Sequence, residues 1–324
     1  MVLRPLRIRS GFHTLDRWLY NAGIAWRPPG GVDLAYGVDL DGFLWARRRS
    51  LPFVVSLKGV IADELKNERG WVRGLLAIQA RWERLNARRA DLVIAPSRYS
   101  ADVARREYGV VAGKIAVVPE PIDLEQWMSL FAAATPRPRN GPTILCVARM
   151  YPRKRVRDLI MAAALLRPRI PGARVRIVGK GPGWEGAVRA HAALGLGDRV
   201  ALLGDVSRDR LAEEYVSADI FCLPSVQESF GLVFLEAMAA GLPIVACRAA
   251  AIPEVVEDGV TGLLVPPRDP AGLARALEAL AANPERARAM GEAGRRAVPS
   301  YTPERVAARF LEAVRLSLER GQAR

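Results

Sequence analysis

The chain has 324 residues, half of them hydrophobic and a quarter charged, with a formal net charge of +14. That composition can bury one large core or two ordinary ones, and it excludes disorder over the whole length. The three cysteines, Cys146, Cys222 and Cys247, and the two histidines, His13 and His191, are too few and too scattered for a disulfide framework or a histidine-based metal centre, and a reducing compartment follows.

No stretch is long and apolar enough to read as a membrane span; the nearest, Gly231 to Cys247, carries Glu236 in its middle. Met1 to Ser10 has arginines with no apolar run behind them, so a secretory signal is not expected and the cytoplasm is the expected location. The positive charge is spread evenly: residues 1–134 hold 20 basic and 14 acidic side chains, the remainder 28 and 20. Of the 48 basic residues 43 are arginine, a compositional bias that argues only weakly for an anionic partner. No zinc finger, RNP-like aromatic run or basic heptad supports nucleic acid as that partner, whereas a phosphorylated ligand or peripheral contact with an anionic membrane fits the charge.

In chain order, Asp39-Leu40-Asp41 is a D-x-D, a pattern that binds metal in another fold but recurs by chance, and no metal site is expected there. Phe53–Ser56, Leu92–Ala95 and Ile115–Val118 are short apolar runs that read as strands, with a helix over Trp71–Arg88 between the first two. Within that helix Trp71, Leu75, Ile78, Trp82 and Leu85 recur at helical spacing among arginines. The stripe reads as a core face beneath a solvated basic side, ahead of the alternative of a helix lying in a membrane interface. Phe131 to Pro142 combines prolines, Asn and Gly where the pattern restarts and reads as a linker between domains 1–134 and 143–300.

From Thr143 onward strands and helices alternate with short connections, the signature of βαβ units around a parallel sheet. Strands are expected over Thr143–Val147, Arg174–Val178, Val200–Leu203, Ile220–Leu223, Pro243–Ala246 and Gly262–Val265. Helices are expected over Val156–Leu166, Trp184–Leu194, Arg208–Ser217, Leu232–Ala240, Ala251–Val256 and Ala271–Ala281. In the closing segment, 301–324, a helix over Pro303–Leu318 presents Val306, Phe310, Val314 and Leu318 as a packing face. The fold class is α/β, two Rossmann-like domains joined across a cleft, and the loops after Val147, Val178, Leu203 and Leu223 are expected to face it.

Chemistry concentrates in two of those loops. After Leu223 comes PSVQESFGLVFLEAMAAG, in which Glu228 and Glu236 lie eight apart around a loop that leads into a helix. A helix start offers backbone N–H groups and the positive end of a dipole to an anion or to sugar hydroxyls. After Val147 comes ARMYPRKR, where Arg149 and Lys154 can converge on a diphosphate, the first as a fork and the second as a compact charge. Lys is rare in this chain, five residues in all. Gly181, Gly183 and Gly186 spell G-x-G-x-x-G, yet the motif follows the second βα unit and Pro182 removes a donor, so a tight turn is preferred over a dinucleotide site.

Together, ARMYPRK at 148–154, IVGKGP at 177–182, ADIFCLPSVQESFGLVFLEAMAAGLPIVA at 218–246 and IPEVVEDGVTGLLVPP at 252–267 resemble the retaining glycosyltransferases of family 4, whose fold is the two-domain GT-B. The resemblance implies a nucleotide-diphosphate sugar as donor, no cofactor or obligatory metal, and transfer with retention to a glycan or lipid-linked acceptor. It implies that Arg149 and Lys154 neutralise the departing diphosphate and that Glu228 lies near the donor sugar, as the catalytic set. Glu236 is implied to hold the ribose hydroxyls, and Phe230, Gly231 and Leu232 to offer backbone amides. Ser229, Val233, Gly179, Gly181 and Lys58 complete the implied donor-binding set. Lys58 stands where relatives commonly have His, and Glu120-Pro121 where Asn-Gly is usual. Only about thirty residues precede the point matching Asp33, and Gly30-Gly31 follows no convincing strand, so the first domain is expected to be shortened, lacking its opening βα units. A catalytically silent nucleotide-sugar-binding protein is the alternative reading.

Overall fold

Short runs in which every residue is apolar form strands buried on both faces, and here they align in parallel. The computed structural model describes residues 13–26, 31–47, 49, 51–138 and 141–322. The expectations for Met1 to Ser10 and for Gly30 lie outside these residues. The chain divides into two compact units, Met1–Pro119 with Val306–Arg324, and Glu120–Arg305.

The first unit holds β1 (Ala35–Val38), β2 (Phe53–Ser56), β3 (Leu92–Ala95) and β4 (Ile115–Val117) in the order β1-β2-β3-β4, all parallel. Strands β2 and β3 are buried at every position. Strand β1 was not expected from the sequence. It is a half-exposed edge whose Gly37 lacks strand propensity but is needed: a Cβ there would meet the Asp41 carbonyl oxygen at 2.3 Å and the Phe53 ring at 3.2 Å. The helix Pro303–Gln322 closes this unit, with Val306, Phe310 and Val314 against Val54, Leu92, Ile94 and Val118.

The helix Gly70–Arg89 forms where expected but turns a different side inward. Its buried residues are Gln79, Ala80, Glu83, Asn86 and Ala87; of the expected stripe Trp71 (79% exposed), Ile78 and Leu85 face out, while Leu75 and Trp82 are half-buried, Trp82 stacked on Phe43. The inward side is selected by hydrogen bonding. The Asn86 amide donates to the carbonyls of Asp39 and Asp41 at 2.8 and 3.1 Å, and Gln79 donates to Thr14 Oγ1 at 2.8 Å. Glu83 accepts from the Ile61 N–H at 2.9 Å and from the Tyr108 hydroxyl. Burial raises the Glu83 carboxyl from its ordinary 4.5 to about 8, so at neutral pH it holds its proton.

The second unit holds β5 (Thr143–Val147), β6 (Arg174–Val178), β7 (Val200–Gly204), β8 (Ile220–Leu223), β9 (Ile244–Cys247) and β10 (Gly262–Val265), each within a residue or so of its expected span. Their order, β10-β9-β8-β5-β6-β7, is the Rossmann order, all parallel, around one large apolar cluster. The units divide ahead of the segment read as a linker. Its first residues, Phe131 to Ala133, end the helix Leu124–Ala133, which is capped by Asp123 and packs Trp127 and Phe131 on Tyr215 of the second unit. Arg137 then pairs with the buried Glu214.

Candidate functional site

In a sheet of this order the strand sequence reverses between β5 and β8, and ligands bind beyond the carboxyl ends of strands at that point. The two loops singled out in the sequence leave the sheet there. They are joined through the main chain, the Val226 N–H donating to the Arg153 carbonyl at 2.9 Å.

Lys154 ends the turn Pro152–Lys154, and its ammonium sits on Glu228, 2.6 Å from Oε1 and 2.8 Å from Oε2. The two side chains are 15% and 7% exposed. Desolvating such a pair costs more than an exposed contact returns, so its presence in a loop is better explained by chemistry than by stability. Arg155, in a left-handed conformation at φ 53°, turns to Asp158 at 2.7 and 2.9 Å, which neutralises the basic helix start. Arg149 is exposed, with its guanidinium 5.3 Å from the Tyr151 ring centre and no ion pair among the described residues.

The Glu228 loop is held on its other side, where the Ala251 N–H donates to the Glu228 carbonyl at 3.2 Å and Cys247 Sγ to the Pro224 carbonyl at 3.4 Å. Phe230 is buried against Tyr301. Gly231 starts the helix Leu232–Ala239 at φ 97°, where a Cβ would lie 2.6 Å from the Phe234 ring. Ser229 precedes that turn, and Leu232 and Val233 form the first helical turn, whose N–H groups lack intrahelical acceptors by geometry.

Glu236, a turn further along, accepts a hydrogen bond at Oε2 from the Tyr215 hydroxyl at 2.7 Å. Burial raises both groups, and the Tyr215 phenol is fully enclosed. Tyr215 was not identified from the sequence, since an aromatic residue in a helix next to a core strand reads only as packing. Ser225, also overlooked, is buried with no hydrogen-bond partner for its Oγ among the described residues.

The glycines of IVGKGP serve the junction of loops. A Cβ on Gly179, at φ 108°, would lie 2.2 Å from the Ala148 carbonyl oxygen, and one on Gly181 would lie 2.8 Å from the Met150 nitrogen. The Gly183 N–H donates to the Met150 carbonyl at 2.7 Å, and Gly186 faces open space. The pattern therefore brings the loops after β5 and β6 into contact, and the Gly183 donor that a pyrophosphate would need is already used.

Lys58 lies in the first unit, at the carboxyl end of β2, where its N–H donates to Asp39 Oδ1 at 2.7 Å. Asp39 is raised to about 6, mainly by burial, and Asp41 pairs with Arg17 at 3.3 Å. The D-x-D thus shapes a turn. No cluster of three or more His, Cys, Asp or Glu side chains suited to a metal occurs among the described residues. No helix among them is long and apolar enough to cross a membrane. A cavity of about 1170 Å³ lies at the opposite, amino-terminal edge of the four-stranded sheet, lined by Leu34, Pro52, Leu92, Ile115 and Leu318.

The family described as Glycosyltransferase Family 4 matches residues 8–126, and that described as Glycosyl transferases group 1 matches residues 130–297. Over 248 residues the chain is 33% identical to a GDP-mannose-dependent alpha-(1-6)-phosphatidylinositol monomannoside mannosyltransferase of Mycolicibacterium smegmatis, covering 73% of this chain and 64% of that protein. The chain spans less than two thirds of the length of the curated relatives it matches. Among solved structures, sucrose-phosphate synthase from Thermosynechococcus elongatus superposes with a TM-score of 0.77 at 25% identity, covering 96% of this chain and 80% of that one. Anabaena HepE, solved with UDP and glucose, shares the fold with a TM-score of 0.74 at 23% identity, covering 91% and 81%. With the family match extending over more than half of its length and carrying the Lys154–Glu228 loops, this chain belongs to the glycosyl transferases group 1 family.

Proposed function

We propose that the chain moves a hexosyl group from a nucleoside-diphosphate sugar to a glycan or lipid-linked acceptor, with retention of anomeric configuration and without a metal or cofactor. The observation that carries this reading is the Lys154–Glu228 pair beside the Gly231 helix start, at the switch point of a Rossmann-order sheet. The relatives named above include an enzyme named for GDP-mannose and a structure with UDP and glucose, which favours a nucleotide-sugar donor.

In the reaction the bond between the anomeric carbon and the diphosphate oxygen breaks, and the acceptor oxygen bonds to the same carbon from the same face. The acceptor proton passes to the leaving phosphate. Charge grows negative on the diphosphate and positive on the sugar, so preorganised cations and dipoles at the diphosphate are the main lever. An ammonium has three donors; Glu228 takes two, which leaves the third for a phosphate oxygen. Arg149 supplies a second cation, and the first-turn amides of the helix Leu232–Ala239 supply dipoles. With both oxygens engaged by Lys154, Glu228 is a poor nucleophile and instead orients the cation beside the sugar. Glu236, oriented by Tyr215, accepts from ribose hydroxyls through its other oxygen. Gly179 and Gly181 bring main chain close to the donor.

The test is acceptor-dependent release of nucleoside diphosphate, after ligand-observed NMR with UDP-, GDP- and ADP-sugars has chosen the donor. Lys154→Ala and Glu228→Ala should each lower turnover by about a hundredfold or more with an unchanged circular dichroism spectrum. Full activity in either variant overturns the assignment. Saturable donor binding by the wild type with no release under any acceptor supports the silent binding protein instead, the reading that Lys58 in place of His favours.

A further inference from the structure

The helix Gly70–Arg89 is amphipathic in reverse. Its polar residues Gln79, Glu83 and Asn86 are consumed holding neighbouring segments, and its apolar row is left outside. Trp71, Ile78 and Leu85 stand seven apart, one line along a helix, and are 79%, 47% and 37% exposed. Beside that line Arg81 and Arg88 form a second row, with Arg84 next to it, all exposed. The only acidic residue of the helix, Glu83, is fully buried, so every charge the helix exposes is positive. The helix His13–Trp26, tied alongside through Gln79 and Thr14, exposes Leu15 and Trp18.

An exposed apolar row normally marks an interaction site, and one flanked by arginines alone suits a surface that is apolar within and anionic at its boundary. We infer that this helix docks the protein on an anionic lipid surface, with Trp71 and Ile78 entering the boundary and the arginines on the headgroups. Topology places it usefully. The helix follows β2 and leads into β3, so its first turn, with Trp71 and Val72, lies toward the carboxyl ends of the strands, the edge at which parallel sheets take ligands. A lipid-linked acceptor would then be presented at that edge without leaving its membrane. The inference rests on the lipid-linked form of the acceptor reading, and a binding assay that needs no turnover separates the failure of one from failure of the other.

The experiment is flotation of the full chain with equimolar phosphatidylcholine–phosphatidylglycerol vesicles and with pure phosphatidylcholine vesicles. The wild type should float with the first and not the second, and high salt should release it. Arg81→Glu with Arg84→Glu should lower the bound fraction about tenfold or more. Trp71→Ser with Ile78→Ser should lower it about tenfold by removing apolar area. Both variants should bind nucleoside diphosphate in solution as the wild type does. Absence of wild-type flotation, or flotation indifferent to both variants, overturns the inference. Concentration-dependent self-association abolished by Trp71→Ser, without vesicle binding, overturns it in favour of a second copy of the chain.

Discussion

The two units solve the same problem, a parallel sheet covered by helices, with different materials. The second unit surrounds six strands with one continuous apolar cluster, with the Lys154–Glu228 pair at the carboxyl ends of β5 and β8. The first surrounds four strands with two small clusters and two separate buried polar pairings made by one helix, Asn86 with the Asp39 carbonyl and Glu83 with Tyr108. A packed apolar frame is stiff and positions groups closely, which suits the site as proposed, one that would meet a diphosphate and a sugar together. A hydrogen-bonded frame ties its stability to protonation and leaves apolar residues available for the surface.

If the second unit depends on close packing of its loops, Gly179→Ala should be the most damaging small substitution there. Its methyl would press on the Ala148 carbonyl at 2.2 Å in a backbone conformation that disfavours a side chain. We expect about 3 kcal/mol or more of lost stability in denaturant unfolding, together with lost nucleotide binding. A near-neutral result would mean that the junction between these loops yields easily.

Tyr215→Phe offers a milder probe. It removes the donor to Glu236 and keeps the ring that stacks on Phe221 and meets Trp127 edge-on. Nucleotide affinity should fall about tenfold, from a carboxylate left without its orienting hydroxyl, at little cost in melting temperature. Isothermal titration of the chosen donor measures the first effect and calorimetric melting the second. Equal losses in both would reduce the hydroxyl to a packing role.

The last expected effect belongs to the first unit and is read as a slope against pH, small over any one pH unit. Folded Glu83 keeps its proton up to about pH 8, whereas in the unfolded chain it loses it near 4.5. The folded state therefore binds the extra proton across that window, and this contribution to stability is lost as pH rises through it. Glu83→Gln, which does not titrate and whose carbonyl can still accept from Tyr108 and Ile61, should flatten the decline by at most about 1.4 kcal/mol per pH unit. Asp39, raised to about 6, has the same sign and should leave a residual slope confined below that pH. Melting followed across this range tests both, and an unaltered slope in Glu83→Gln would remove Glu83 as its source.

Legibility differed between the units for the same reasons. Where strands are continuous apolar runs bounded by turns, as from β5 to β10, local pattern sufficed. Strand β1, with Tyr36 exposed and Gly37 in its middle, carries no such pattern because it is an edge and Gly37 answers to the Phe53 ring. The helices His13–Trp26, Leu124–Ala133 and Pro284–Ala297 went unassigned, although Asp123 and Asn283 are ordinary caps. At the site, Arg149, Lys154, Glu228 and Glu236 stood out by residue type and loop position. Tyr215 and Ser225 did not, because nothing in their neighbouring residues distinguishes a partner of Glu236 or an unpartnered hydroxyl from ordinary core.

By itself the sequence determined that the segments from β2 to β10 become strands, that they run parallel, and which loops hold the cations and carboxylates, since periodicity, turn residues and charge act over a few neighbours. Tertiary structure decided everything that joins distant segments. It closed Lys154 on Glu228 across 74 residues, set Tyr215 under Glu236, and returned the last helix to the first sheet. It also turned the helix Gly70–Arg89 polar side inward, because buried carbonyls, amides and a phenol required partners more strongly than the apolar stripe required cover.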